Sequence, residues 1–220
     1  FLYFLPTIAS VLNTSIGKTM LGTLGGSDTE NGYFEQAYKI FNVIAALPAA
    51  LNIVMRPRMA YLMGNNKKEE FADKLRTSMS FIMFLMIAIG FGLVGTADNI
   101  VPWFFGLGWE KVTLLLKLFS ACVVFYSITL CFSEQYFLPY GKIKTLTKII
   151  YIGLAVNILF NALLIKKYFS VGTTLAAILA EFVTMILSLY LARKDIDIRA
   201  TLRLSLKYIF AGAVMLALLL

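Results

Sequence analysis

Polar side chains that recur at helical spacing inside long apolar runs carry the chemistry this chain offers. Thr7, Ser10, Thr14 and Lys18 follow one another at steps of three and four, so they share one helix face. Lys117, Ser120, Ser127, Cys131 and Glu134 obey the same rule in a second run, and Asn157 and Asn161 lie one turn apart in a third. A fourth run holds Thr174, Ala177, Glu181, Thr184 and Ser188, with Glu181 near its middle. Lysines offer positive charge, amides and hydroxyls offer hydrogen bonds, and carboxylates offer an exchangeable charge. A lone acid deep in hydrocarbon costs a few kcal/mol on insertion scales, so Glu181 needs a partner or a watery cavity. Plainer roles stay open for the others. Lys18 sits about two turns from the end of its run and is able to snorkel, and Lys117 and Glu134 lie nearer to run ends. Asn157 and Asn161 are equally suited to bonding a neighbouring helix, a contact worth about 1 kcal/mol. Together these residues describe a helix bundle around a hydrophilic, partly cationic cavity.

Soluble-enzyme motifs do not survive their context. Residues 90–95 fit GxGxxG, yet they end an apolar run with no strand before them, so small residues allowing close helix packing explain them better. Gly17-Lys18-Thr19 resembles the end of a phosphate-binding loop, but position 12 is Leu where that motif needs Gly. Asp195-Ile196-Asp197 matches a metal-binding DxD only in three residues and reads as a solvated loop. The chain has no His, which removes the usual general base and the commonest metal ligand. Cys122 and Cys131 lie nine apart on different faces and suggest neither a disulfide nor a metal site. No catalytic residues, cofactor or metal are expected.

The elements that must position the polar residues are membrane-spanning helices. Hydrophobic residues make up 60% of the 220, and the mean hydropathy is +0.80, well beyond what a soluble core needs. Apolar runs of about twenty residues match a hydrocarbon core of roughly 30 Å. We place spans at 2–24, 40–56, 78–97, 112–133, 148–165 and 172–192, an all-α polytopic bundle of six spans plus a truncated seventh. Arg56, Arg58, Lys67, Lys68, Lys74 and Arg76 then share one loop, and Lys142, Lys144 and Lys148 the next on that side. Arg193, Lys194, Arg199, Arg203 and Lys207 form the third, against only Lys39, Lys111, Lys166 and Lys167 on the opposite side. The positive-inside rule puts the three basic loops in the cytoplasm, with the first span running outward. The formal charge of +8 therefore reflects topology and attraction to anionic lipid headgroups, not nucleic-acid binding.

Residues 64–76 read as a cytoplasmic connector with a short amphipathic turn, and residues 25–33 as a turn-rich outer loop. Residues 98–109 read as a bent segment at the outer interface, and Pro6, Pro48 and Pro139 as sites of helix bending. The last apolar run, 208–220, is too short to span, and the first residue is Phe. We read the chain as an internal piece of a longer membrane protein: residues 1–193 one six-helix lobe, residues 194–220 a connector and a truncated next helix.

Five stretches also carry a resemblance: FLPTIASVLNTSIGKTMLG, GYFEQAYKI, MRPRMAYLMG, IVPWFFGLGWEKV and the long run from QYFLPYGKIKTLTKII to AAILAEF. In that order they resemble the second half of Wzx-type polysaccharide repeat-unit flippases, a branch of the multidrug/oligosaccharidyl-lipid/polysaccharide exporter superfamily. Asn157, Asn161, Lys166, Gly172 and Glu181 are spaced as in that family. Two departures stand out. Gly17 occupies a position where the family often has an acid, which argues against Lys18 working as an ion pair, and Tyr168-Phe169 replaces a more usual Tyr-Gly.

The resemblance implies one lobe of a two-lobed, fourteen-helix transporter of the bacterial inner membrane, with this chain supplying helices seven to twelve and part of thirteen. It implies transfer of an undecaprenyl-diphosphate-linked oligosaccharide from inner to outer leaflet for capsule, exopolysaccharide or O-antigen assembly. On that reading Lys18 and Lys117 attract the diphosphate, while Thr14, Asn157 and Asn161 bond sugar or water. Glu181 and Glu134 are the candidates for coupling to H+ or Na+. Membrane lipids and a polysaccharide polymerase are the further partners. Other readings are a drug/cation antiporter or a peptidoglycan-precursor flippase of the same superfamily, or part of a membrane-embedded glycosyltransferase or polymerase.

Overall fold

The computed structural model describes residues 4–25, 27–193 and 195–219, with side chains for all of these except 4–7, 9–11, 14 and 198–205. Their regular elements are α1 (Phe4–Leu24), α2 (Asp28–Gly64), α3 (Lys68–Phe105), α4 (Glu110–Phe132), α5 (Ile143–Ala192) and α6 (Ile198–Leu219). A π-helical turn, Ser133–Phe137, continues α4. The all-α polytopic bundle expected from the sequence is thus the fold. Among the described residues, α2, α3, α4 with its π turn, and α5 are long and apolar enough to cross a membrane. The six expected spans fall on α1 to α4 and on two arms of α5.

The helices run longer than the apolar runs that mark them. α2 starts twelve residues before the expected span because Ser27 caps it, its hydroxyl accepting from the Glu30 N–H at 3.4 Å. Asp28 and Glu30 in the first turn complement the helix dipole. The turn formers of 25–33 are therefore mostly helical. The polar connector after α2 shrinks to three residues, where Asn66 takes φ +57°, and its expected amphipathic turn becomes the start of α3, burying Phe71 and Leu75. α3 runs helically through Pro102 to Phe105, where a separate bent segment was expected, and stops at Gly106 with φ +83°. α6 begins ten residues before the apolar run at 208, because Arg, Leu and Lys are good helix formers whether or not lipid surrounds them.

The largest difference lies in α5. No loop separates the fifth and sixth spans; the chain reverses at one residue, Phe169, with φ +50° and ψ −126°. Close approaches show that the arms run antiparallel. A Cβ on Gly172 would lie 2.6 Å from the Leu164 carbonyl oxygen, and one on Gly153 would lie 2.4 Å from Thr184 Cγ2. Both pairs are centred near residue 168. Glu30 of α2 stabilises the turn from outside the hairpin: its Oε2 accepts from the Ser170 N–H at 3.1 Å and from the Ser170 hydroxyl at 2.5 Å. Its other oxygen pairs with Lys111 at the start of α4. A carboxylate from another helix thus satisfies the first amide of the second arm.

α4 is the central helix, burying Leu115, Phe119, Cys122, Val123 and Cys131 among α2, α3 and α5. α1 packs on α5 through Gly17 and Leu21, both buried, and α6 packs on α3, where Tyr208 and Ser80 hydroxyls meet at 2.8 Å. At the end of the bundle that carries the basic segments, Lys142 donates to Asp195 Oδ2 at 2.5 Å and to the Tyr136 hydroxyl at 2.6 Å, and Tyr136 also donates to Asp195. The Lys142 ammonium lies 4.8 and 4.7 Å from the Tyr136 and Tyr140 ring centres. This cluster ties the connector before α6 to the turn between α4 and α5.

Hydrogen bonds from Lys142, then from Tyr136, hold the Asp195 carboxyl below its ordinary value. A depressed carboxyl adds stability that is present above its unfolded value, about 3.9, and is lost as pH falls through the folded one. Asp195→Asn in the full-length protein is expected to lower the thermal midpoint by about 1–3 °C at neutral pH. The deficit should shrink as pH falls below about 4. Melting curves across pH check this; a deficit that stays constant would contradict the tie.

Candidate functional site

The antiparallel arms of α5 bring Asn157 and Glu181 to one cavity of about 120 Å³. α1 contributes Asn13 and Gly17, α2 contributes Phe34, Tyr38 and Phe41, and α4 contributes Phe119, Cys122 and Tyr126. Thr173 and Ala177 complete the wall from the second arm. The aromatic side is a packed stack: Phe119 lies 5.8, 6.0 and 5.3 Å from the rings of Phe34, Tyr38 and Phe41. One wall is therefore apolar and rigid, while the opposite wall carries amides and an acid.

The amides form a chain across two helices. Asn157 Nδ2 donates to Asn13 Oδ1 at 2.8 Å, and Asn161 Nδ2 donates to the Asn157 carbonyl at 2.9 Å and also to Asn157 Oδ1. Asn161 is fully buried, and its Oδ1 has no hydrogen-bond partner. An unpaired buried acceptor is costly. Glu181 faces the same cavity, with the Thr184 hydroxyl 2.9 Å from its backbone oxygen and 3.4 Å from Oε2.

Lys18 lies in an adjoining groove of about 340 Å³ between α1 and α2, which shares Phe34 and Tyr38 with the cavity. Here Lys18 does form an ion pair, with Glu35 Oε2 at 2.8 Å. Position 17 has no room for an acid, since a Cβ there would already stand 3.0 Å from Thr173 Cγ2. The carboxylate comes from α2 instead, which no inspection of the first helix alone reveals.

The other expected residues lie elsewhere. Lys117 pairs with Asp98 of α3 at 2.6 Å and does not line the cavity. Glu134 pairs with Arg56 of α2 at the π turn, beside Gln135, which donates to Asn52 at 2.7 Å. The Thr14, Thr7 and Ser10 side chains lie outside the described residues. Asn13, Tyr38, Glu35 and Glu30 are the residues that sequence reasoning passed over. Asn13 was legible in principle, because it lies four residues before Gly17 and eight before buried Leu21, on the face of α1 that meets α5.

Comparison with known proteins places the fold. The family model of the lipid II flippase MurJ matches residues 34–220. A solved structure, that of lipid II flippase MurJ in an inward closed conformation, superposes with a TM-score of 0.81 at 19% identity and covers 96% of this chain. At that identity the likeness speaks to the fold. The chain spans 45% of the length of that flippase. No curated protein matches the chain significantly. The superfamily expected from the sequence stands, but the matches fall in its lipid II branch and lend no support to the repeat-unit branch.

Replacing Asn157 by Leu leaves Asn13 Oδ1 without its donor, while Asn161 Nδ2 keeps only the backbone carbonyl of residue 157. A loss of about 1–3 kcal/mol in folding stability is expected. A double-mutant cycle with Asn13→Leu should show coupling of at least about 0.5 kcal/mol. Additive effects in thermal unfolding would contradict the shared network.

Proposed function

The chain belongs to the lipid II flippase MurJ family, and from that premise we propose that it forms part of a flippase for an undecaprenyl-diphosphate-linked peptidoglycan precursor. It is a multi-pass protein of the bacterial inner membrane. The family is one of transporters, so the membrane-enzyme reading and the repeat-unit substrate both give way to precursor transfer. Residues 1–193 act as one lobe, residues 194–220 supply a connector and a further helix, and the basic end faces the cytoplasm.

The observation that carries this reading is the meeting of an amide chain, an acid and a cationic groove at adjoining polar spaces inside an otherwise apolar bundle. A head bearing a diphosphate and sugars cannot cross hydrocarbon unaided, because each unsatisfied polar group costs several kcal/mol there. Lys18 supplies charge to the diphosphate. Asn13, Asn157 and Asn161 exchange hydrogen bonds with sugar hydroxyls or water as the head passes. Glu181 takes up H+ or Na+, and that occupancy biases the rocking of one lobe against the other. Lys117 and Glu134, tied to Asp98 and Arg56, keep a supporting part at the rim.

The test is complementation of a strain depleted of its own peptidoglycan-precursor flippase by the full-length gene. Wild-type protein should restore growth. Glu181→Gln and Lys18→Ala, at equal protein levels, should each lower precursor delivery to the outer leaflet by about tenfold or more, the loss expected for removing roughly 1.4 kcal/mol. Full delivery by Glu181→Gln would remove the coupling role, and full delivery by Lys18→Ala the diphosphate contact.

A further inference from the structure

Glu35 stands where an anionic ligand would stand. Its Oε2 accepts from Lys18 at 2.8 Å, and its Oε1 lies 3.7 Å from Lys39 on the next turn of α2. One carboxylate therefore bridges two ammonium groups, one on each wall of the groove. Asn42 of α2 and Thr19 of α1 line the same groove. The Thr19 hydroxyl donates to the Ser15 carbonyl at 3.1 Å, so its hydrogen is already committed to its own helix. Two lysines against one carboxylate leave the groove cationic, and more so once the carboxylate turns away.

The pair is built to open. The side chains of Lys18, Glu35 and Lys39 are 49%, 39% and 60% exposed, so each charge keeps water when the contact breaks. Exposed pairs of this kind contribute little to stability, and a stronger anion exchanges with them readily. A diphosphate carries more charge than a carboxylate and offers an oxygen to each ammonium at once.

We propose that Glu35 is a resident competitor in a diphosphate-binding groove formed by Lys18 and Lys39: it occupies the cations when the groove is empty and is displaced when a diphosphate enters. The inference rests on the flippase reading only in taking the ligand to be a lipid-linked diphosphate. It gives Glu35 a role opposite to that of an ordinary site residue. While the pair is closed the groove is unavailable, so apparent affinity falls by the closed fraction, and removing the acid raises affinity.

The experiment measures binding of undecaprenyl diphosphate and, separately, of inorganic diphosphate to the full-length protein in nanodiscs. Glu35→Gln is expected to tighten binding about two- to fivefold, the range an exposed ion pair implies. Lys39→Gln should weaken it by a similar factor, with the double variant between the two. Should Glu35→Gln not yield folded protein, Glu35→Asp keeps the charge but withdraws it by one methylene, and must tighten binding by a smaller factor. Tightening for both probes identifies the diphosphate alone as the ligand, and tightening for the lipid alone adds the polyprenyl chain; either supports the competitor. Unchanged or weaker binding in the Glu35 variants overturns it. Absence of binding to either probe by any variant overturns the groove as a diphosphate site, while the complementation above still decides the flippase reading on its own.

Discussion

The reversal of the chain at Phe169, held by the Glu30 carboxylate, is the interaction on which the rest depends. A helix that turns back within one residue leaves the first amides of its returning arm without intrahelical partners, and Ser170 is buried away from water. Glu30 meets the first of them through Ser170 and balances its own charge on Lys111. Three helices are fixed at that point: α2 by its first turn, α4 by its start and α5 by its bend. The register between the arms follows, with Gly153 against Thr184 and Gly172 against Leu164, and so does the meeting of Asn157 with Glu181. The cavity is a consequence of the bend.

Much of this was legible in the sequence, and what was not has a physical cause. Apolar length and loop charge located the spans, because lipid imposes both. Helix ends were missed because a capped helix continues past the membrane boundary on its own hydrogen bonds, as α2 does from Ser27. Asn157, Asn161 and Glu181 stood out because an amide or acid in an apolar run differs from its neighbours, and Asn157 and Glu181 line the cavity. Glu30 and Glu35 escaped notice because they lie among other polar residues near the start of α2, and their partners are 140 and 17 residues away in sequence. Gly17 was read as a missing acid, whereas its role is steric: α1 needs a hydrogen there to lie against Thr173. Lys117 and Glu134 sat at helical spacing with Ser120 and Ser127, but periodicity gives only a face, and α3 and α2 supplied an acid and an arginine to meet them.

Two polar spaces with different chemistry lie side by side, separated by the rings of Phe34 and Tyr38. The inner one is small, buried and built of amides and a carboxylate, which suits a proton, a cation, water or a hydroxyl. The groove is larger, open and cationic, which suits a phosphate. The division matches a task in which a charged head is held at one place while coupling occurs at another. The family match is to a lipid II flippase, whereas residue resemblance alone had favoured a different headgroup.

The most direct measurement is depletion of the full-length gene in its host, followed by identification of the lipid-linked intermediate that builds up on the cytoplasmic side. The account predicts accumulation of an undecaprenyl-diphosphate-linked peptidoglycan precursor together with loss of wall synthesis. Accumulation of a surface-polysaccharide repeat unit with wall synthesis intact would contradict it.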